Sequence, residues 1–176
     1  MKPLNRITLV GVFTAINVTS RLSLQFLPNI KPVTSIIILV TLAFGLRFGL
    51  ELSMTTVLVS SVLLGFGTYT PFQLLGWSII VLFTSLLNRF LSWGKLYVFT
   101  AWAFLCGYIY GFFVSIDKLF ISPAFFWSYY FSGIFYDSMH AAGNLVFFPL
   151  CYYALFPIFR HQGANSSFLR LSGTKH

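Results

Sequence analysis

The stretch "GFGTYTPFQLLGW", residues 65–77, interrupts a chain that is apolar over most of its length. It begins at a glycine, carries polar and aromatic side chains, and contains Pro71, which the first turn of a helix tolerates. A short polar segment of this kind between two apolar runs predicts the turn between two membrane helices. The rest of the fold can be predicted by finding the other interruptions of this type.

Composition places the chain in the membrane. Of 176 residues, 57% are hydrophobic and 8% are charged, and the mean hydropathy is +0.84. Such a chain cannot give a soluble domain a charged surface, so we predict an integral membrane protein. The net charge of +8 does not indicate a nucleic-acid partner, because the eleven basic residues lie between apolar segments and never form a run. Cys106 and Cys151 both lie in apolar runs and predict neither a disulfide framework nor a metal site.

The apolar runs predict an all-α membrane bundle of six transmembrane helices. A span needs about 20 residues to cross a hydrocarbon core of ~30 Å. The basic start "MKPLNRITLV" continues without a small-residue cleavage site, so we interpret it as the first helix and not as a signal peptide. The predicted membrane domain is 1–160, and a polar cytoplasmic tail follows at 161–176. The predicted helices lie at 4–22, 33–47, 49–65, 71–88, 95–115 and 134–158, and the last break is the long segment "DKLFISPAFFWSYYFSG" at 117–133.

The basic residues predict the orientation of the bundle, since cytoplasmic loops carry the excess of Lys and Arg. With both termini inside the cell, eight of the eleven basic residues are cytoplasmic and three are external. The cytoplasmic set is Lys2, Arg6, Arg47, Arg89, Lys95, Arg160, Arg170 and Lys175, and the external set is Arg21, Lys31 and Lys118. We therefore predict that both termini are cytoplasmic, and that the polar outer segments meet over one mouth.

The segment "YDSMHAAGN" is the strongest candidate for a functional site. Its Asp137, His140 and Asn144 are three and four residues apart and therefore share one face of the sixth helix, with Tyr136 beside them. Ionisable groups in a membrane helix are costly and usually face a cavity or a partner. The alternative is an Asp–His pair that only anchors the end of the helix.

Two further sets of polar residues lie at outer helix ends. Gln73 and Trp77 repeat the four-residue spacing at the start of the fourth helix, with Tyr69 before them, and an amide beside an indole can bond and stack a planar heterocycle. The alternative is a Trp in the interfacial belt and a Gln that bonds a neighbouring helix. The second set is Asn17 and Arg21 on the first helix with Lys31 in the next loop; a cation there could bind an anionic substrate or could extend to lipid headgroups.

Small residues on the first helix recur every four positions at Gly11, Ala15 and Thr19. This spacing lets another helix approach closely, either within the bundle or from a partner protein.

Catalytic signatures are absent from the sequence. It contains no GxxxxGK[ST], HExxH or GxSxG motif, and its three acidic residues leave little for metal or paired-carboxylate chemistry. We therefore expect no enzyme, no cofactor and no metal site. A self-sufficient small carrier and a membrane enzyme that uses Asp137 and His140 as an acid–base pair remain as alternatives.

The whole pattern resembles the substrate-binding membrane subunit, or S component, of energy-coupling factor (ECF) transporters, the vitamin-uptake branch of the ATP-binding cassette family. The resemblance covers most of the chain and rests on the small residues of the first helix, "PNIKP", "GTYTPFQLLGW" and "YDSMHAAGN". It implies a protein of the prokaryotic plasma membrane that binds a vitamin from outside. It also implies assembly with a transmembrane T component and two ATP-binding cassette ATPases, with Gly11 and Ala15, or Ala15 and Thr19, at the docking face.

The resemblance also implies a ligand. "TPFQLLGW" and "DSMHAAGN" look most like the cobalamin group of the family, in which His140 would approach the cobalt or an amide arm. Hydroxymethylpyrimidine or thiamine is the alternative. The expected substrate-binding residues are Asn17, Arg21, Lys31, Tyr69, Gln73, Trp77, Tyr136, Asp137, His140 and Asn144.

Overall fold

The computed structural model describes residues 3–91 and 96–161. Of the predicted tail at 161–176, His161 is the last residue of the sixth helix, and 162–176 lie outside the described residues, as do Lys2 and Lys95. The described residues form six α-helices and one 3-10 helix, with no strand among them. In chain order they are α1 (Pro3–Ser23), α2 (Val33–Phe44), α3 (Leu46–Leu64), α4 (Thr70–Phe90), α5 (Leu96–Ser115), the 3-10 helix Ile116–Phe120, and α6 (Pro123–His161).

Within residues 3–91 and 96–161, four helical segments are long and apolar enough to cross a membrane. They are Leu46–Leu64, Thr70–Phe90, Leu96–Phe120 and Pro123–His161, so α5 and the 3-10 helix count together. The all-helical architecture and these four segments fit a membrane protein, as the composition predicts.

The shortest α-helix, α2, lies at the centre of the bundle. It contacts each of the other five α-helices, and every residue from Val33 to Ala43 is buried. Its 12 residues correspond to about 18 Å, less than the ~30 Å of a hydrocarbon core. The central helix of the bundle therefore cannot span a membrane by itself.

The other helices surround α2. Helix α1 packs on α3, and α3, α4, α5 and α6 pack each on the next. Gly45 alone separates α2 from α3, so the two helices form a tight hairpin. The φ of Gly45 is 92°, a conformation that favours glycine. At this end of the bundle the ring of Phe159 lies 5.5 Å from that of Phe13 and 5.2 Å from that of Phe44, which joins α1, α2 and α6.

The predicted outer loop at 117–133 is wrong, because this segment is mostly helical. The Ser122 hydroxyl accepts a hydrogen bond from the Phe125 amide at 3.1 Å, and Pro123 occupies the next position, so the two residues begin α6 eleven residues before the predicted boundary at 134. Stacked rings four residues apart, Trp127 on Phe131, stabilise these first turns. The 39 residues of α6 correspond to about 58 Å, nearly twice the thickness of the hydrocarbon core.

Helices α5 and α6 touch at Gly107. A Cβ atom at this position would lie 2.6 Å from the Ala141 amide nitrogen and 2.7 Å from its Cα. Backbone atoms cannot move aside as a flexible side chain can, so the glycine sets the distance between the two helices.

We expect Gly107→Ala to lower the free energy of unfolding by about 1–3 kcal/mol, because the new methyl group forces α5 away from α6. Gly11→Ala is the control, since a Cβ at Gly11 would have no atom within 4 Å. Thermal unfolding of both variants in detergent measures the difference. Equal midpoints for the two variants would contradict the close packing of α5 on α6.

Candidate functional site

A cavity of about 450 Å³ lies at the end of the bundle where α1 ends and α2 begins. It lies between the α1–α2 loop, the first turn of α2, the start of α4, the end of α5 and the outer half of α6. Its lining residues are Arg21, Asn29, Lys31, Val33, Thr34, Gln73, Trp77, Tyr110, Gly111, Val114, Ser115, Tyr129, Ser132, Gly133, Tyr136, Asp137 and His140.

The structure brings seven of the ten predicted substrate-binding residues to this cavity. They come from α1, the α1–α2 loop, α4 and α6, so residues up to about two thirds of the chain length apart in sequence meet at one cavity. The seven are Arg21, Lys31, Gln73, Trp77, Tyr136, Asp137 and His140.

The other three predicted residues lie outside the lining. Asn17 is fully buried and donates a hydrogen bond to the Thr56 hydroxyl at 3.1 Å, which joins α1 to α3. Asn144 is one turn beyond His140, where its amide donates to the Ala103 carbonyl. Tyr69 is a partly exposed residue of the turn before α4.

The inner end of the cavity contains a buried hydrogen-bond network centred on Thr34. The Trp77 indole nitrogen lies 3.1 Å from the Thr34 hydroxyl, and His140 Nε2 lies 3.0 Å from it on the other side. An indole N–H can only donate, so the hydroxyl accepts from Trp77 and has its own proton free for His140. This arrangement favours the tautomer of His140 that carries its proton on Nδ1.

Aromatic rings form one wall of the cavity. The rings of Trp77 and Tyr110 stack at 4.8 Å with 27° between their planes, and Tyr110 meets the His140 ring edge-on at 5.3 Å. The Arg21 guanidinium lies 5.4 Å above the Trp77 ring. Trp77 is only 3% exposed, so it does not form part of an interfacial aromatic belt.

Asp137 is the acidic residue of the cavity lining, and its position depends on a glycine. A Cβ atom at Gly111 would overlap the Asp137 carboxylate, so α5 leaves room for this side chain by having none of its own there. Asp137 is 6% exposed and makes no ion pair with any described residue.

Three buried polar atoms of the lining have no hydrogen-bond partner among the described residues: Arg21 Nη1, Gln73 Oε1 and His140 Nδ1. A buried polar group without a partner is costly, and native proteins satisfy nearly all of them. The cavity thus presents donors and an acceptor that a polar ligand could satisfy.

Lys31 lies on the α1–α2 loop, outside the helices, and faces the same cavity. Burial and the neighbouring Arg21 guanidinium lower the pKa of the Lys31 ammonium group from its ordinary value. Two cations are therefore held close together at one side of the cavity.

The rim of the cavity is held by contacts between the outer segments. Asn29 adopts a φ of 58° and donates to the Tyr136 carbonyl at 3.0 Å, which fixes the α1–α2 loop to α6. The Asp117 carboxylate accepts from the Thr68 hydroxyl at 2.9 Å and pairs with the Lys118 ammonium at 2.7 Å. These contacts lie at the same end of the bundle as the cavity.

Sequence reasoning missed Thr34, Tyr110 and Gly111. Each lies inside or at the edge of an apolar run, where a single hydroxyl or glycine does not by itself indicate a binding site. The signal that the sequence offers is position: Thr34 lies two residues after "PNIKP", and Tyr110 and Gly111 lie in the glycine-bounded segment "GYIYG" at 107–111.

The small residues of α1 lie on its outer surface. Gly11, Ala15 and Thr19 are all exposed, and a Cβ at Gly11 would have no atom within 4 Å. Packing inside the bundle, one of the two interpretations of this spacing, therefore does not explain it.

Comparisons with protein-family models, curated proteins and solved structures give no significant match. The function is accordingly argued from the geometry of the cavity and the surface of α1.

We expect Thr34→Val to lower the free energy of unfolding by about 1–3 kcal/mol, because both Trp77 and His140 lose their partner. Thr34→Ser is the control, since it keeps the hydroxyl. Thermal unfolding in detergent, followed by tryptophan fluorescence, measures both variants. The central role of the hydroxyl would be refuted by a Ser variant that is as unstable as the Val variant.

Proposed function

We propose that the chain is the substrate-binding S component of an ECF-type transporter. In this role it binds a vitamin-like molecule from outside the cell and delivers it inward together with a T component and two ATPases. The observation that carries the proposal is the cavity itself, which lies at one end of the bundle and contains buried polar atoms that no described residue satisfies.

The apolar packing below the cavity supports binding over independent transport. From Ile36 onward α2 is surrounded by buried apolar side chains, among them Leu52, Ile80 and Phe148. A carrier or channel that works alone needs a second polar opening towards the other side of the membrane. A blind cavity fits a protein that captures its ligand and needs partners to release it.

Enzymatic use of the cavity has less support. An acid–base pair would consist of Asp137 and His140. His140 Nε2 bonds the Thr34 hydroxyl, so this nitrogen does not bond the Asp137 carboxylate. Turnover of a ligand by the purified chain would establish the enzyme instead.

The charges at the two ends of the bundle support a membrane bundle of six helices with both termini inside the cell. Arg21, Lys31 and Lys118 lie at or near the cavity. The basic residues described at the other end are Arg6, Arg47, Arg89 and Arg160, of which the first two approach Glu51. The excess of basic residues at the end without the cavity is the pattern of a cytoplasmic side. The cavity then opens outward.

The size of the cavity bears on the ligand. A volume of about 450 Å³ lies within the range of roughly 300–1,000 Å³ typical of small-molecule sites. A one- or two-ring heterocycle, such as hydroxymethylpyrimidine or thiamine, suits this volume better than cobalamin, whose macrocycle and amide arms need a wider mouth. The stacked Trp77 and Tyr110 rings offer a flat surface for such a heterocycle.

We expect Asp137→Ala and His140→Ala to weaken ligand binding at least tenfold, because each removes a polar group from the cavity wall. The measurement is calorimetric titration of the detergent-purified chain with cobalamin, hydroxymethylpyrimidine, thiamine, folate and riboflavin. His161→Ala, at the exposed inner end of α6, is the control. Unchanged affinity in both cavity variants would remove these residues from the site.

We expect Ala15→Leu to prevent co-purification with the T component and the ATPases while ligand binding persists, because the larger side chain blocks close approach of a partner helix. Ala101→Leu is the matched control, since Ala101 is equally an exposed alanine but lies on α5. If the complex forms with Ala15→Leu, the docking face lies elsewhere. If no complex forms with the natural chain, the proposed function is wrong.

A further inference from the structure

The distribution of charge in the cavity indicates a class of ligand. At the cavity end of the bundle, Lys118 is neutralised by Asp117 at 2.7 Å. Arg21 and Lys31 also lie there, and neither forms an ion pair with a described residue. Two cations that share a partly enclosed space repel each other unless an anion lies between or beside them.

Arg21 has a buried hydrogen-bond donor without a partner. Its guanidinium carbon lies 5.4 Å from the centroid of the Trp77 ring, which holds the group at the aromatic wall of the cavity. Nη1 is buried and has no partner in the described part of the chain. An arginine with a free donor of this kind can bind a carboxylate or a phosphate.

The first turn of α2 adds a third positive element. Val33 and Thr34 line the cavity, and Pro32 before them provides no side-chain cap. The first amide groups of a helix have no acceptor within the helix, and the macrodipole makes this end positive. A helix start alone would not mark a site, but here it is accompanied by His140 Nδ1, which belongs to a lining residue more than nine-tenths buried and lacks a partner among the described residues.

We infer that the ligand carries an anionic group, a carboxylate or a phosphate, that binds between Arg21, Lys31 and the first turn of α2. This inference rests on the proposed function, since it assumes that the cavity binds the transported molecule. The planar part of the ligand then stacks along the Trp77–Tyr110 wall.

The lining also supplies acceptors. Asp137 and the Gln73 side-chain oxygen are acceptors, so they bind a ring N–H, an amino group or a hydroxyl of the same molecule. The expected ligand is therefore a planar ring that carries both an anionic group and a separate hydrogen-bond donor.

Two matched pairs of probes test the inference: benzoate against benzamide, and thiamine monophosphate against thiamine. Each pair differs chiefly by the anionic group, and the first tests a carboxylate whereas the second tests a phosphate. Dissociation constants are measured on the full chain in detergent by ligand-observed NMR. We expect at least one of benzoate and thiamine monophosphate to bind about ten- to a hundredfold more tightly than the partner that lacks the anionic group, as a charge-assisted hydrogen bond provides.

Arg21→Gln and Lys31→Gln should each reduce this preference at least fivefold. Arg47→Gln is the matched control, because it removes the same charge from a side chain that is 85% exposed at the other end of the bundle. The inference is overturned if neither anion binds more tightly than its partner, including the case in which no probe binds, or if the cavity variants keep the preference of the natural chain.

Failure of this inference can be told apart from failure of the proposed function. Co-purification with the T component and the ATPases depends on the outer face of α1 and not on the charge of the cavity. Intact assembly without an anion preference refutes only the anionic ligand. An anion preference without assembly keeps the anion site and refutes the S component.

Discussion

The cavity exists because the helix at the centre of the bundle is too short. Helix α2 covers about 18 Å, so roughly 12 Å of a ~30 Å hydrocarbon core remains unfilled along its axis. Its other end is fixed by Gly45, which joins it directly to α3, and the shortfall therefore lies at the end where α2 begins. The surrounding helices continue past this point, and the space between them is the cavity. The α1–α2 loop then contributes Asn29 and Lys31 to its lining.

The fold could be predicted from the sequence where apolar runs alternate with short polar segments, since the bilayer permits few other structures. The prediction failed at the start of α6, because Ser122, Pro123 and a series of aromatic residues resemble an interfacial loop when they are considered without helical hydrogen bonds. Only the structure shows that Ser122 caps a helix there. For the site, the spacing of Asp137 and His140 correctly indicated a shared face. The depth of the cavity along α6 could not be predicted, and it decides that Asn144, one turn beyond His140 on the same face, bonds the backbone of α5 instead of lining the cavity.

The buried polar side chains of the bundle differ in where they lie as well as in what they bond. Both side-chain atoms of Asn144 are hydrogen-bonded, since its oxygen accepts from the Ser35 hydroxyl and its nitrogen donates to the Ala103 carbonyl, and this side chain fixes how α2, α5 and α6 pack. Gln73 and His140 each have one polar atom without a partner in the described chain, and both line the cavity. Asn17 Oδ1 also lacks a partner there, but Asn17 lies outside the lining. An unpartnered polar atom therefore indicates a binding site only together with its position on the cavity wall.

The length of α6 connects the binding site to the lipid around it. Its first turns carry exposed Trp and Tyr rings, among them Trp127, Tyr129 and Tyr136, which are 49%, 47% and 54% exposed. Rings with a polar group prefer the headgroup region, so they fix the depth at which the bundle sits. The same turns carry Ser132 and Gly133 of the cavity lining. Hydrophobic mismatch therefore acts on the mouth of the cavity: a thicker bilayer draws these turns towards hydrocarbon, and a thinner one exposes them to water. How open the cavity is therefore depends on the protein and on the thickness of its membrane together.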